Sequence, residues 1–113
     1  MRESVCSAFS IGEAPEISLI DYIERCIKYL KTERGTFIAM MVYLDKIAVE
    51  VQLTNFNIHR LLLGAFSCAT KYTCDICPSN KYLAKVGGIS TEEMNIIEAT
   101  ILEMLDYDLY ISP

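Results

Sequence analysis

Apolar residues recur every three to four positions in four long segments of the chain, and almost no segment alternates like a strand. A period near 3.6 residues is that of an amphipathic α-helix, so these segments predict helices. A shorter helical segment precedes the last of them. The five predicted helices run from about Ile17 to Leu30, Thr36 to Glu50, Asn57 to Tyr72, Asn80 to Lys85 and Thr91 to Leu105. The pattern therefore predicts an all-α fold, a compact bundle of five helices.

The third predicted helix differs from the others because apolar residues surround it. One stripe consists of Ile58, Leu61, Leu62, Ala65, Phe66 and Ala69. The other side of the helix carries Leu63, Gly64 and Cys68. A helix that is apolar on all sides is normally buried on all sides. We therefore expect the third helix at the centre, with Gly64 allowing a neighbouring helix to come close.

The other helices each present one apolar face, which predicts the side that meets the core. The expected inward residues are Ile20, Ile23, Ile27 and Leu30 in the first helix, flanked by Leu19, Tyr22, Cys26 and Tyr29; Phe37, Met40, Met41, Leu44 and Ile47 in the second; and Met94, Ile97, Ile101 and Leu105 in the last. Gly35 and the Gly87-Gly88 pair are predicted helix stops, and Ser90 with Glu93 forms a capping box that opens the last helix.

Composition and charge narrow the function classes. The chain has 113 residues, of which 52% are hydrophobic, which suits one globular domain. Its net charge of -5 argues against a nucleic-acid partner and against binding to an anionic membrane surface. The longest apolar stretches are far shorter than the ~20 residues of a membrane-spanning helix. With no apolar signal segment in residues 1–10, we expect an intracellular protein of the nucleus or cytoplasm.

Five cysteines offer the only candidate metal or redox chemistry. Their odd number and their place in apolar stripes favour free thiols over a disulfide framework. Cys74 and Cys77 form a C-x-x-C, but the single histidine, His59, stands apart, and zinc sites need a second ligand pair. We therefore expect neither a metal nor another cofactor, although a thiol-based redox or metal role for this pair stays open. Carboxylate pairs, nucleophile–base pairs and phosphate-binding loops are not evident in the sequence.

Five strings along the chain resemble the cyclin box in the family's order and at compatible spacing. The similarity is greatest to the phosphate-signalling cyclins and the plant U-type (P-type) cyclins. The strings are YIERCIKYL at 22–30, MVYLDKI at 41–47, NIHRLLLGAFSCATKYTCD at 57–75, NKYLAKVGGIS at 80–90 and EMNIIEATILEMLDYDLYI at 93–111. The resemblance implies a single five-helix cyclin box over residues 16–113, preceded by an N-terminal segment, 1–15, that we expect to be flexible.

The resemblance also implies a function. Cyclins pack their third and fifth helices on the regulatory helix of a cyclin-dependent kinase, which completes the kinase active site. Cyclins do no chemistry themselves, so the resemblance implies a protein that is not an enzyme. By position, Lys71 and Glu98 match the lysine and glutamate with which the family grips backbone groups near that helix. Apolar contacts to the kinase are implied for Tyr72, Leu102, Tyr107 and Leu109.

Two further residues match an internal feature of the family. Arg25 and Asp45 fall where cyclins have an ion pair between the first two helices, which implies a structural role. The first helix lacks the motif by which mitotic cyclins capture substrates, so a docking patch of that kind is not expected. The alternative that the sequence leaves open is a cyclin-fold adaptor with a non-kinase partner. Self-association of the kinase-free chain is a further expectation, since its kinase-binding face would be unoccupied.

Overall fold

Five α-helices make up the fold of the chain, whose computed structural model describes residues 17–54, 57–75 and 77–111. They are α1 (Leu19–Leu30), α2 (Arg34–Glu50), α3 (Ile58–Thr73), α4 (Asn80–Gly87) and α5 (Thr91–Met104). No strand occurs in these ranges. The predicted all-α bundle is thus confirmed, with helix ends within about two residues of their predicted positions, and the predicted segment 1–15 lies outside the described residues.

Helix α3 is the centre of the bundle, as its all-round apolar pattern predicts. All ten residues from Leu61 to Thr70 are buried, and the other four helices pack around them. Gly64 sits where α3 meets α5. A Cβ atom built there would lie 2.5 Å from Ile101 Cγ1 and 2.9 Å from Ile97 Cγ2. The two helices can therefore approach this closely only because position 64 has no side chain.

The buried faces of α1 and α2 are rotated from those expected. In α1, Tyr22 and Cys26 are buried, whereas Ile20 is 70% exposed and Ile27 lies at the surface. The Tyr22 hydroxyl reaches α4, where it donates to the carbonyl of Gly87 at 3.1 Å. In α2 the inward residues are Thr36, Ala39, Met40, Tyr43 and Ile47, while Met41 is half exposed. The predicted inward face of α5 is confirmed, since Met94, Ile97, Ile101 and Leu105 are all buried.

Side-chain caps and left-handed residues define where the helices begin and end. The hydroxyls of Ser18, Ser79 and Ser90 each accept a hydrogen bond from an amide in the first turn of the helix that follows, at 3.1 to 3.2 Å. Gly88 ends α4 with a φ of 72°, the left-handed conformation that glycine adopts without strain. In the first turn of α5, the Glu93 carboxylate accepts a hydrogen bond from Arg60 of α3.

After α5 the chain turns back on the bundle. Asp106 and Tyr107 have positive φ values of 52° and 58°, which reverse the chain direction. The following residues return to the core, where the Tyr43 hydroxyl donates to the Leu109 carbonyl at 2.7 Å. The Leu109 side chain lies beside the last turn of α3, where it lines a cavity together with Lys71 and Tyr72. No helix in the described ranges is long and apolar enough to cross a membrane.

Candidate functional site

Lys71 and Glu98 form a half-buried ion pair where the end of α3 meets α5. The Lys71 Nζ atom lies 2.6 Å from Glu98 Oε2, and the two side chains are 30% and 17% exposed. Lys71 belongs to the last turn of α3, where a cation is favoured by the negative end of the helix dipole. The structure thus brings together the two polar residues that the sequence singles out for kinase binding.

Three helices hold this ion pair in place through uncharged polar side chains. From α3, the buried Ser67 hydroxyl donates to Glu98 Oε2 at 2.6 Å. From α4, Asn80 Oδ1 accepts from Lys71 Nζ at 2.5 Å, and the Asn80 amide donates in turn to Asn95 of α5 at 2.7 Å. Fixing the two charged groups in this way limits the rotamer freedom that a partner would otherwise have to remove.

Sequence reasoning missed Ser67, Asn80 and Asn95. Ser67 had a detectable signal, because it lies four residues before Lys71 and so on the same side of α3. Asn80 and Asn95 had none, because the sequence does not say that α4 and α5 present these amides to each other.

Apolar side chains surround the ion pair and form a shallow open cavity of about 240 Å³. It is lined by Cys68, Lys71, Tyr72, Glu98, Leu102 and Leu109. Five of the six residues predicted to contact a kinase therefore line one cavity. The sixth, Tyr107, is not among the lining residues; it lies on the turn after α5 and is 70% exposed. Apolar side chains around a polar group can exclude water from it, as the residues around an interface hot spot do.

The Cys68 thiol belongs to the apolar part of this cavity. Burial raises its pKa to about 12, and the negative charge of Glu98 acts in the same direction. The thiol is therefore protonated at neutral pH and contributes packing, since the thiolate is the reactive form of cysteine.

Comparison with models of known protein families shows which family the chain resembles. The family model described as Cyclin matches residues 1–109. This chain belongs to the cyclin family. Among curated relatives, it is 38% identical to Cyclin-U4-1 of Arabidopsis thaliana over 110 residues, covering 95% of this chain and 54% of the relative. It is 36% identical to the PHO85 cyclin-like protein psl1 of Schizosaccharomyces pombe over 111 residues, covering 95% and 46%.

A third curated relative is also named as a cyclin. PHO85 cyclin-7 of Saccharomyces cerevisiae is 34% identical over 119 residues, which cover 93% of this chain and 42% of the relative. The resemblance to phosphate-pathway and U-type cyclins is thus confirmed. This cyclin chain spans about half the length of the curated relatives it matches.

The structure does not support a buried ion pair between Arg25 and Asp45. Both side chains are exposed, on α1 and α2. The two ion pairs found within residues 17–54, 57–75 and 77–111 instead tie α3 to α5, joining Lys71 to Glu98 and Arg60 to Glu93. Helices α1 and α2 contact each other little, because each packs mainly on α3. Arg25 lies in a groove between α1 and α4.

His59 has a structural role in this cyclin. Its Nε2 atom lies 2.9 Å from the Ile17 carbonyl oxygen just before α1, and its ring packs edge-on against Tyr22 with centroids 5.0 Å apart. These contacts join the start of α3 to the start of α1.

Cys74 and Cys77 lie in the connection between α3 and α4 and are the accessible thiols among those described. Cys77 is exposed and Cys74 is half-buried. The Cys77 thiol donates to the carbonyls of Lys71 and Cys74, at 3.6 Å each. Within the described ranges, no group of three histidine, cysteine or acidic side chains is placed to hold a metal ion.

Thiol labelling will separate these cysteines into two classes. We expect maleimide to modify Cys74 and Cys77 in the folded chain within minutes, whereas Cys26 and Cys68 react only after unfolding, because burial raises the pKa of both thiols to about 12. Peptide mapping by mass spectrometry gives the time course for each residue. Rapid labelling of Cys68 in the folded chain would contradict the buried position described above.

The Tyr43 hydrogen bond to Leu109 gives a prediction about the C-terminal segment. Burial raises the pKa of Tyr43 to about 12, so its hydroxyl remains a donor. Tyr43→Phe should lower the free energy of unfolding by about 1 kcal/mol and make the chain after α5 more sensitive to proteases. Thermal melting and limited proteolysis measure the two effects. Tyr110→Phe is the control, because Tyr110 is 63% exposed and should change neither.

Proposed function

We propose that this chain is a regulatory subunit that binds a cyclin-dependent kinase and activates it by packing α3 and α5 on the kinase regulatory helix. The observation that carries the proposal is the Lys71–Glu98 pair, set among apolar side chains at the junction of these two helices. Relatives that are named as cyclins of PHO85 support a kinase partner.

The chemistry of the cavity suits a peptide backbone from the kinase. A lysine ammonium offers three donors and a carboxylate offers several acceptor sites, so the pair can bind carbonyl and amide groups of a main chain at the same time. Tyr72, Leu102 and Leu109 surround the pair and would exclude water from these hydrogen bonds. Bonds of this kind strengthen when water is removed, because the local dielectric falls.

Activation would follow from the position of the kinase helix. Holding that helix inward allows the kinase's own Lys–Glu pair to form and its activation loop to rearrange. The proposed role requires no catalytic group of the cyclin, so we propose that the chain is not itself an enzyme. A kinase partner also agrees with the expected location in the nucleus or cytoplasm.

Reconstitution with purified kinases tests the proposal. The chain is mixed with each member of a panel of cyclin-dependent kinases, and complex formation is followed by size-exclusion chromatography while phosphorylation of a generic peptide is measured. We expect one or more kinases to co-elute with the chain and to gain activity that saturates at an equimolar ratio. Co-elution without any gain in activity would contradict the activating role. The absence of both would contradict the whole proposal and favour the alternative of an adaptor with a non-kinase partner. The elution volume of the free chain tests self-association.

A further inference from the structure

The connection between α3 and α4 carries two thiols that the proposed contact with a kinase does not use. Cys77 is exposed and Cys74 is half-buried, whereas the other two cysteines among the described residues are buried. The Cys77 Sγ atom lies 3.6 Å from the carbonyl oxygen of Cys74, so it already rests against the backbone of the residue with which it could pair. Both side chains line one open cavity of about 290 Å³, and neither lines the cavity around Lys71 and Glu98.

The surroundings of the two thiols suit a small anionic reagent. Lys31, the left-handed residue that ends α1, lines the same cavity together with the rings of Tyr29 and Tyr82. Its exposed ammonium attracts negative charge, and the tyrosine rings provide apolar surface beside it. A low-molecular-weight disulfide that carries carboxylates can therefore approach Cys77 from solvent.

The same connection is linked to the kinase-contacting end of α3. The Cys77 thiol donates to the Lys71 carbonyl at 3.6 Å. Asn80 follows Cys77 by three residues, and its Oδ1 atom accepts a hydrogen bond from Lys71 Nζ at 2.5 Å. The backbone and the ammonium of Lys71 are thus both bonded to residues of this connection or of the helix that it opens. A change in the connection acts on Lys71 from both sides.

We propose that Cys74 and Cys77 form a site of reversible oxidation, at which a low-molecular-weight disulfide converts the two thiols to an internal disulfide and thereby loosens the Lys71 end of α3. The internal disulfide removes the thiol hydrogen that Cys77 donates to the Lys71 carbonyl, and it shifts the segment that leads to Asn80. The expected loss of kinase affinity rests on the proposed function; the oxidation and its effect on α3 do not.

The chemistry is thiol–disulfide exchange in two steps. The exposed Cys77, as the thiolate, attacks one sulfur of the small disulfide, which forms a mixed disulfide and releases one small thiolate. The Cys74 thiolate then attacks the Cys77 sulfur, breaks the mixed disulfide and releases the second small thiolate. The released thiolates take up the protons that the two cysteines lost, so the cysteines are oxidised and the small disulfide is reduced. The second step is fast because both thiols belong to one short segment.

Peptide mapping by mass spectrometry tests the oxidation on the full chain. The reduced chain is incubated with oxidised glutathione at neutral pH, and the remaining thiols are then blocked with maleimide under denaturing conditions. We expect a disulfide between Cys74 and Cys77, with Cys26 and Cys68 blocked as free thiols, and dithiothreitol should reverse it. Cys74→Ser should stop at a glutathione adduct on Cys77. Cys77→Ser should form about tenfold less adduct in the same time, because its remaining thiol in the connection is half-buried.

Cys6→Ser is the matched control, because it removes a cysteine that lies outside the described residues and outside the connection. It should leave the pairing of Cys74 with Cys77 unchanged. Failure of oxidised glutathione to join these two cysteines would overturn the inference. So would a disulfide from either of them to Cys6, or equal modification of the buried Cys26 and Cys68.

Amide hydrogen exchange tests the link to α3 without a kinase. Amides in the last turn of α3 should exchange about threefold faster or more in the oxidised chain than in the reduced one, which corresponds to the loss of a weak hydrogen bond. Cys77→Ser treated with the same reagent should exchange as it does untreated. Equal exchange in the oxidised and reduced wild-type chains would show that the disulfide does not act on Lys71.

Kinase binding by the same samples separates this inference from the proposed function. The oxidised chain, freed of glutathione, should bind a kinase about threefold or more weakly than the reduced chain in surface plasmon resonance, and reduction should restore the affinity. If the disulfide forms and exchange changes but no kinase is captured, the proposed function fails while the oxidation site stands. If a kinase is captured but the disulfide does not form, only the oxidation inference fails.

Discussion

A chain that carries both Lys71→Ala and Glu98→Ala will fold, but its affinity for a cyclin-dependent kinase will fall by about 100-fold or more. Truncating one hot-spot residue costs about 2 kcal/mol or more, and the losses of two neighbouring hot-spot residues are not additive, so we expect a combined loss of about 100-fold or more. The double variant is preferable to either single one. Removing only Lys71 would leave the Glu98 carboxylate, 17% exposed, without its cation, and an unpaired half-buried charge destabilises the fold itself.

The chain provides a matched control for this experiment. Arg60 and Glu93 form a second ion pair between α3 and α5, with the same 2.6 Å separation, but neither residue lines the cavity around Lys71. Arg60→Ala with Glu93→Ala should therefore keep kinase binding near the wild-type level. Binding is measured by surface plasmon resonance, and thermal melting shows that both double variants are folded. Equal loss of binding in the two would mean that α3–α5 ion pairs act on stability and not at a kinase contact.

Gly64→Ala is expected to destabilise the bundle by about 1–3 kcal/mol, although alanine favours a helix over glycine by about 1 kcal/mol. The new methyl group would lie 2.5 Å from Ile101 Cγ1 and 2.9 Å from Ile97 Cγ2, both on α5. These are branched side chains fixed in the core, so α3 and α5 must move apart and lose packing. Chemical denaturation followed by circular dichroism measures the change.

Gly35→Ala is the control for the glycine substitution, because nothing lies within 4 Å of a Cβ atom at that position in α2. It should leave stability unchanged or raise it by up to about 1 kcal/mol. A double variant, Gly64→Ala with Ile101→Ala, should lose less than the sum of the two single losses, because the second change removes the nearest colliding atom. A neutral or stabilising Gly64→Ala would show that α3 and α5 are not in the contact described here.

The sequence predicted most of the architecture, and the exceptions have physical causes. The approximate ends of all five helices and the central place of α3 could be predicted because the spacing and the width of apolar stripes carry that information. The prediction that Gly35 stops the first helix was wrong, because α1 ends at the left-handed Lys31 and Gly35 lies in the first turn of α2. The inward face of α1 could not, because apolar residues occupy more than one side of that helix. Periodicity does not say that the Tyr22 hydroxyl finds the Gly87 carbonyl, which helps to bury this ring while Ile20 stays outside. Thr36 is likewise buried with a hydrogen-bond partner, because its hydroxyl forms a hydrogen bond with the hydroxyl of Thr73 at 2.6 Å.

The candidate site was predictable only as far as the family resemblance reached. That resemblance pointed to Lys71 and Glu98, but their direct contact, and the part played by Ser67 and Asn80, depend on how three helices meet in space. The expected ion pair between Arg25 and Asp45 is a case in which the resemblance predicted a contact that the structure does not have. The positions of Arg25 and Asp45 match those of an ion pair in the family, but both side chains are exposed in this structure. A match in position therefore does not establish that two residues are in contact. Whether the six predicted residues bind a kinase stays a prediction for the experiments above.

The burial of α3 also determines which positions of this protein can be varied to obtain new binding partners. Between Leu61 and Thr70 the helix has no position that reaches solvent, so any library aimed at new binding partners should leave these ten residues fixed. Diversity belongs on exposed positions of α1, α2 and α4, which together offer separate surfaces on one scaffold. Selection for a new ligand on the exposed residues of α1 and α4 could then proceed while the Lys71–Glu98 ion pair is kept unchanged as an internal reference for correct folding.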